Sequence, residues 1–161
     1  MATSVADASV ISMPNVVKQG TFVTLAYVEL FFIFIVGQSI AKAQLQSFYR
    51  SKGEKMLRYY NSKDKKMVGW DRVVGNMCEQ SMPFLTLFWI NIALEYLTLE
   101  SAGSAVTAGW CYVAFRAIYP VLWFSGGGGL GGPRSKIVFC TLPMYSIIAF
   151  LAYKAFSSVH L

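Results

Sequence analysis

Four long apolar stretches, each interrupted or flanked by ionisable residues, constrain this chain more than any other feature. They cover roughly Thr21–Lys42, Ser81–Leu99, Ser104–Phe124 and Ile137–Phe156. Each supplies about 20 residues, the length a helix needs to cross a hydrocarbon core of about 30 Å. Lipid offers no partner to backbone N–H and C=O groups, so such stretches cross as helices. The expected fold is all-α and integral to the membrane, a four-transmembrane-helix bundle with residues 1–161 as one domain. Yet Glu29, Glu79, Asn91, Glu95 and Arg116 lie in or at the edge of these stretches. A charge at the bilayer centre costs at least about 2.5–3.5 kcal/mol, so such groups normally face a partner helix or a wet cavity.

The 161 residues are 55% hydrophobic, and four spans leave no room among them for a soluble catalytic domain. A net charge of +6 could suggest nucleic acid, but its distribution points elsewhere. Arg50, Lys52, Lys55, Arg58, Lys63, Lys65, Lys66 and Arg72 crowd the first connection, against Glu54, Asp64 and Asp71. Arg134 and Lys136 lie in the third connection, while Glu100–Gly103 in the second carries no Lys or Arg. The positive-inside rule puts both basic loops in the cytosol, against anionic headgroups, and both chain ends outside it. An endoplasmic reticulum or other organellar membrane is expected, with lipid and not nucleic acid as the partner. Cys78, Cys111 and Cys140 show no metal-ligand spacing and read as small packing residues; no metal site is expected. The first twenty residues lack the basic start of a signal peptide, so the first span is expected to act as an uncleaved insertion signal.

Along the chain, the first helix is expected to begin near Gln19. It should continue as helix through Ala41–Arg50 to Gly53, beyond the membrane. Asn61–Asp64 reads as a loop tip, and Trp70 with Asp71 as the opening of the second helix. Pro83 and Pro143 fall inside the second and fourth helices, where each frees a backbone carbonyl. Ser125–Pro133 reads S-G-G-G-G-L-G-G-P but lacks the G-K-[ST] end of a phosphate loop, which leaves a flexible surface connection.

Two polar stripes stand out. Arg72, Asn76 and Glu79 are spaced i, i+4, i+7, with Gln80 beside them. Arg116, Tyr119 and Trp123 are spaced i, i+3, i+7 on the third helix. Glu79 and Arg116 sit at similar depth from the basic end, which predicts a buried Glu79–Arg116 ion pair. Glu29 and Glu95 have no evident mate within the chain. Above the predicted pair, Arg72, Asn76, Tyr119 and Trp123 would form a pocket suited to a small, flexible polyanion meeting an apolar co-substrate from lipid. Helix-to-helix adhesion alone is the other reading of the same groups.

Residues 71–84, D-R-V-V-G-N-M-C-E-Q-S-M-P-F, resemble the helix-two motif of the MAPEG family, the membrane-associated proteins of eicosanoid and glutathione metabolism. The order of elements is similar too, down to R-x-x-Y at Arg116 and Tyr119. The resemblance implies a homotrimer with glutathione, the co-substrate, held between neighbouring subunits near the cytosolic face. Arg72, Asn76, Glu79, Gln80, Arg116, Tyr119 and Trp123 would contact it. Arg134 would be the catalytic cation that stabilises the thiolate, with Lys136 as its substitute. Gln80 and Trp123 stand where some members have Tyr. Two functions follow: a glutathione transferase or peroxidase acting on lipophilic electrophiles or lipid hydroperoxides, or a non-catalytic lipid-binding or accessory subunit of a larger membrane complex.

Overall fold

The computed structural model describes residues 14–56, 64–98, 103–125 and 135–159. They form four helices and no strand: α1 (Asn15–Ser51), α2 (Lys65–Leu97), α3 (Ser104–Ser125) and α4 (Ser135–Val159). By length and composition, α1, α3 and the Ile137–Val159 part of α4 can each cross a membrane. Polar groups lower the hydropathy of α2, which is nonetheless 33 residues long. At a rise of 1.5 Å per residue, α1 and α2 are both longer than the hydrocarbon core is thick. Helical order through the whole Ala41–Arg50 stretch agrees with the sequence expectation.

The helix starts differ from that expectation. Pro14 precedes α1, which begins at Asn15 rather than near Gln19. In α2 the cap is Asp64, whose Oδ1 accepts from Met67 N at 3.0 Å, so the helix starts well before Trp70. Asp71 is instead a tertiary contact. Its Oδ1 accepts from Gln38 Nε2 at 2.7 Å and faces Lys42 Nζ at 3.8 Å, tying α2 to α1. Pro83, Pro120 and Pro143 all lie inside helices. The loop tip at 61–63, the connection at 99–102 and the glycine-rich stretch at 126–134, with Arg134, fall outside the described residues.

α2 and α3 each touch the other three helices, whereas α1 and α4 do not meet among the described residues. The core therefore lies around α2 and α3. Its centre is aromatic: Phe84 stacks on Tyr112 with centroids 3.8 Å apart, and Tyr27 and Phe88 close the group from either side of Phe84. In lipid the hydrophobic effect does not drive helices together, so such fitted contacts carry the association. Gly109 permits one of them, because a Cβ there would lie 2.6 Å from Phe88 and 2.8 Å from Val23. Large apolar side chains such as Leu25, Phe32, Met82, Phe139 and Leu142 point outward, as a lipid-facing surface requires.

Candidate functional site

A polar layer lies one turn toward the basic end from the aromatic centre. Pro83 and the aromatic layer sit below it on α2, and the i, i+4 spacing of Asn76, Gln80 and Phe84 sets the order. Arg116 is the hub. It is 1% exposed, and its Nη2 donates to Asn76 O at 2.6 Å and to Gln80 Oε1 at 2.8 Å. Gln80, 4% exposed, also accepts from Tyr112 OH at 3.0 Å. Above Arg116, Asn76 Nδ2 donates to Tyr119 OH. The guanidinium lies between two rings, 5.7 Å from the centroid of Tyr112 and 5.9 Å from that of Tyr119. On the α1 side, Tyr27 OH and Ser81 Oγ are 2.7 Å apart.

This arrangement corrects the expected ion pair. Glu79 is exposed, and the described salt bridges are Lys42–Asp71 and Lys154–Glu95, not Glu79–Arg116. Glu79 and Gln80 are neighbours at almost the same depth, but about 100° apart around the helix. The inward direction belongs to Gln80. Among the described residues every hydrogen-bond partner of Arg116 is neutral, so a cation stands buried with amide, carbonyl and phenol oxygens around it. Its Nε has no hydrogen-bond partner among the described residues, nor has Trp123 Nε1, seven residues further on the same helix.

The seven expected ligand contacts thus divide into two sets. Asn76, Gln80, Arg116 and Tyr119 meet in one hydrogen-bonded network, and Trp123 packs on Tyr119 with ring centroids 6.2 Å apart. Arg72 and Glu79 are exposed on the adjoining flank of α2. The stripe therefore straddles the edge of the bundle, with Asn76 turned inward between two outward charges. Tyr112, Tyr27 and Ser81 were not singled out by sequence reasoning. Tyr112 was legible from its i−4 spacing to Arg116, on the face that meets Gln80.

Far from the basic end there is a second polar cluster. Glu95, 2% exposed, pairs with Lys154 of α4. Its Oε1 also accepts from Ala105 N at 3.0 Å and Ser104 Oγ at 2.7 Å, so it closes the start of α3. Glu95 therefore does have a mate within the chain, contrary to expectation. Glu29 is exposed on α1 and enters neither ion pair.

The model of the MAPEG family matches residues 20–155. The chain belongs to the MAPEG family. No curated protein and no solved structure gives a match. The matched region holds all four described helices almost entirely, and both polar stripes lie within it. At the level of the MAPEG family, the chain is a helical membrane protein of the glutathione- and eicosanoid-related class. Among the described residues no group of His, Cys, Asp and Glu could hold a metal ion.

Proposed function

We propose that this MAPEG protein binds glutathione at the edge of the α2–α3 layer and uses it as a transferase or peroxidase on lipophilic substrates. The observation that carries the reading is the surplus of donors. Among the described residues, Arg116 is buried without a carboxylate, the Nε of Arg116 and Nε1 of Trp123 lack acceptors, and Arg72 stands exposed on the same side. Buried donors without acceptors are costly, and cations in excess of anions favour an anionic ligand. Glutathione brings two carboxylates and a thiol. Arg72 would hold a carboxylate through its planar fork, with Asn76 and Glu79 oriented toward the peptide groups and ammonium. Positive charge nearby would favour the thiolate. The thiolate sulfur would then form a bond to the electrophilic carbon, and the leaving group would depart with its electron pair.

A homotrimer completes this reading. Glu29, Arg72 and Glu79 are charges on outward faces, and charge facing lipid is expensive. A second copy would shelter them and wall the open flank of the site. The basic end would face the cytosol of an organellar membrane; labelling of Ser62→Cys only from the opposite face of sealed vesicles would reverse that topology. The accessory-subunit reading has one observation in its favour: Arg116 is already committed to the network inside the chain. In the catalytic reading the same commitment means that the activating cation must be another residue, with Arg134 the candidate.

Calorimetric titration of the detergent-purified protein with glutathione tests the binding step. Turnover of a chloronitrobenzene or a lipid hydroperoxide tests the chemistry. No binding at millimolar glutathione sinks the proposal. Binding without turnover leaves the non-catalytic member.

A further inference from the structure

A cavity on the cytosol-proximal part of α1 is separate from the α2–α3 site. The apolar run of α1 ends at Ile40. Around and beyond it, Ser39, Lys42, Gln46 and Arg50 recur at i, i+3, i+7 and i+11, one stripe of the helix. The helix then stops at a built turn. Gly53 takes a φ of 69°, and Gly53 N and Glu54 N donate to Arg50 O and Tyr49 O at 3.1 and 3.0 Å. Such a left-handed residue after a helix is a common way to reverse the chain. The reversal brings Glu54 and Lys55 opposite the stripe. The two walls border a half-open cleft of about 520 Å³, lined by these residues together with Ala43 and Met56.

The charge of the lining decides what it would hold. Lys42, Arg50 and Lys55 stand against Glu54, and Asp71 shares Lys42 at 3.8 Å. Among the described lining residues, Arg50 and Lys55 alone still outnumber Glu54. The volume lies within the range of ordinary small-ligand sites, about 300–1,000 Å³. The level matters too. The cavity opens where the apolar run of α1 gives way to polar residues, with exposed Val36 and Ile40 just below. That is headgroup depth for a helix anchored by its apolar segment.

We infer that this cavity binds a phosphate-bearing anion. Arg50 supplies the fork that matches phosphate geometry, and Lys55 a point charge. Ser39 and Gln46 supply neutral donors, and Glu54 can accept from a hydroxyl or ammonium on the same ligand. The phosphate can come from an anionic phospholipid, its acyl chains resting on Val36 and Ile40, or from a soluble phosphomonoester. Neither source depends on the glutathione reading.

Native mass spectrometry of the full chain in detergent tests the inference, with phosphatidylglycerol and glycerol 3-phosphate as probes. The expected result is a saturable adduct with at least one of them. Arg50→Gln with Lys55→Gln should weaken that adduct at least about tenfold. Lys52→Gln with Lys65→Gln removes equal charge outside the cavity and should weaken it less than about twofold. Ala43→Trp, which keeps every charge but fills the space, should also abolish the adduct; thermal melting of each variant checks the fold. An adduct with phosphatidylglycerol alone assigns the lipid source, and displacement by glycerol 3-phosphate assigns the soluble one. Equal losses in the two charge-removed pairs, an adduct that survives Ala43→Trp, or no adduct with either probe would overturn the inference.

Discussion

Removing the neutral amide at Gln80 should harm this bundle more than removing the charge at Arg116. Arg116 Nη2 holds two short hydrogen bonds, to Asn76 O and Gln80 Oε1. Gln80→Leu leaves a buried guanidinium with one fewer acceptor, and it also leaves Tyr112 OH without the oxygen it donates to. Hydrogen bonds to charged groups contribute about 1.5–3 kcal/mol, and stranding a buried charge costs at least as much. Interhelical hydrogen bonds in membranes run weaker, at most about 1.7 kcal/mol in double-mutant cycles. A loss of about 2–4 kcal/mol follows for Gln80→Leu. Arg116→Met removes the cation itself. Asn76 O keeps its place in the helix ladder, and Gln80 Oε1 keeps Tyr112 OH, so the loss should be about 1–2 kcal/mol. The double variant should recover part of the Gln80→Leu loss, a coupling of about 1–2 kcal/mol. The parallel cycle of Glu79→Gln with Arg116→Met should couple by less than about 0.5 kcal/mol, since Glu79 faces outward. Reversible unfolding in mixed detergent micelles measures all five variants. If Arg116→Met is the more damaging change, or if Glu79 couples to it more strongly than Gln80 does, the neutral-partner account of Arg116 is wrong.

Other perturbations probe other layers. Gly109→Ala places a methyl group 2.6 Å from Phe88 and 2.8 Å from Val23 and should lower stability by about 1–3 kcal/mol in the same assay. Lys154→Met strands the Glu95 carboxylate and should cost about 3–5 kcal/mol, unless the carboxyl takes up a proton. Adding Glu95→Gln should return part of that, and a double variant that melts with the single one would show that the pair contributes nothing. In the glutathione titration, Arg72→Ala should weaken binding at least about tenfold, with Arg72→Lys only partly restoring it. Arg134→Ala should spare binding and lower the thiolate absorbance near the ultraviolet edge; a loss of binding instead would move Arg134 from an activating to a holding role.

Depth was legible in this sequence, and direction was not. The helical continuation past Lys42 and the placing of Asn76 and Tyr119 one level above Arg116 both follow from counting residues at a fixed rise. The Glu79–Arg116 pairing failed because counting cannot say which of two adjacent residues turns inward. Charge complementarity favoured Glu79, yet Phe84 and Gln80 share the buried face, and that packing sets the rotation of α2. Asp71 failed for a related reason. A cap is a local feature that Asp64 satisfies, whereas the role of Asp71 is fixed by Gln38 on another helix. The Glu95–Lys154 pair could have been found, since both residues lie near the ends of their helices on the same side of the membrane.

The misreading of Glu79 has a chemical consequence. Had Glu79 neutralised Arg116, the layer would carry no net charge, and only Arg72 would be left to attract an anion. With neutral partners alone, Arg116 keeps its full charge inside a low-dielectric bundle, where its field is weakly screened. That field reaches the flank on which Arg72 and Glu79 stand. Glu79 can then serve as an acceptor toward whatever sits there, instead of being consumed by the core. The inner half of the stripe holds α2 to α3, and the outer half, Arg72 and Glu79, stays exposed; under the proposed function that is the half a ligand or a second copy of the chain would meet. A single spacing, i, i+4, i+7, thus spans the core and its flank because Asn76 sits at the boundary. Its carbonyl accepts from Arg116 and its amide donates to Tyr119, which fixes the wall against which Arg72 and Glu79 can act.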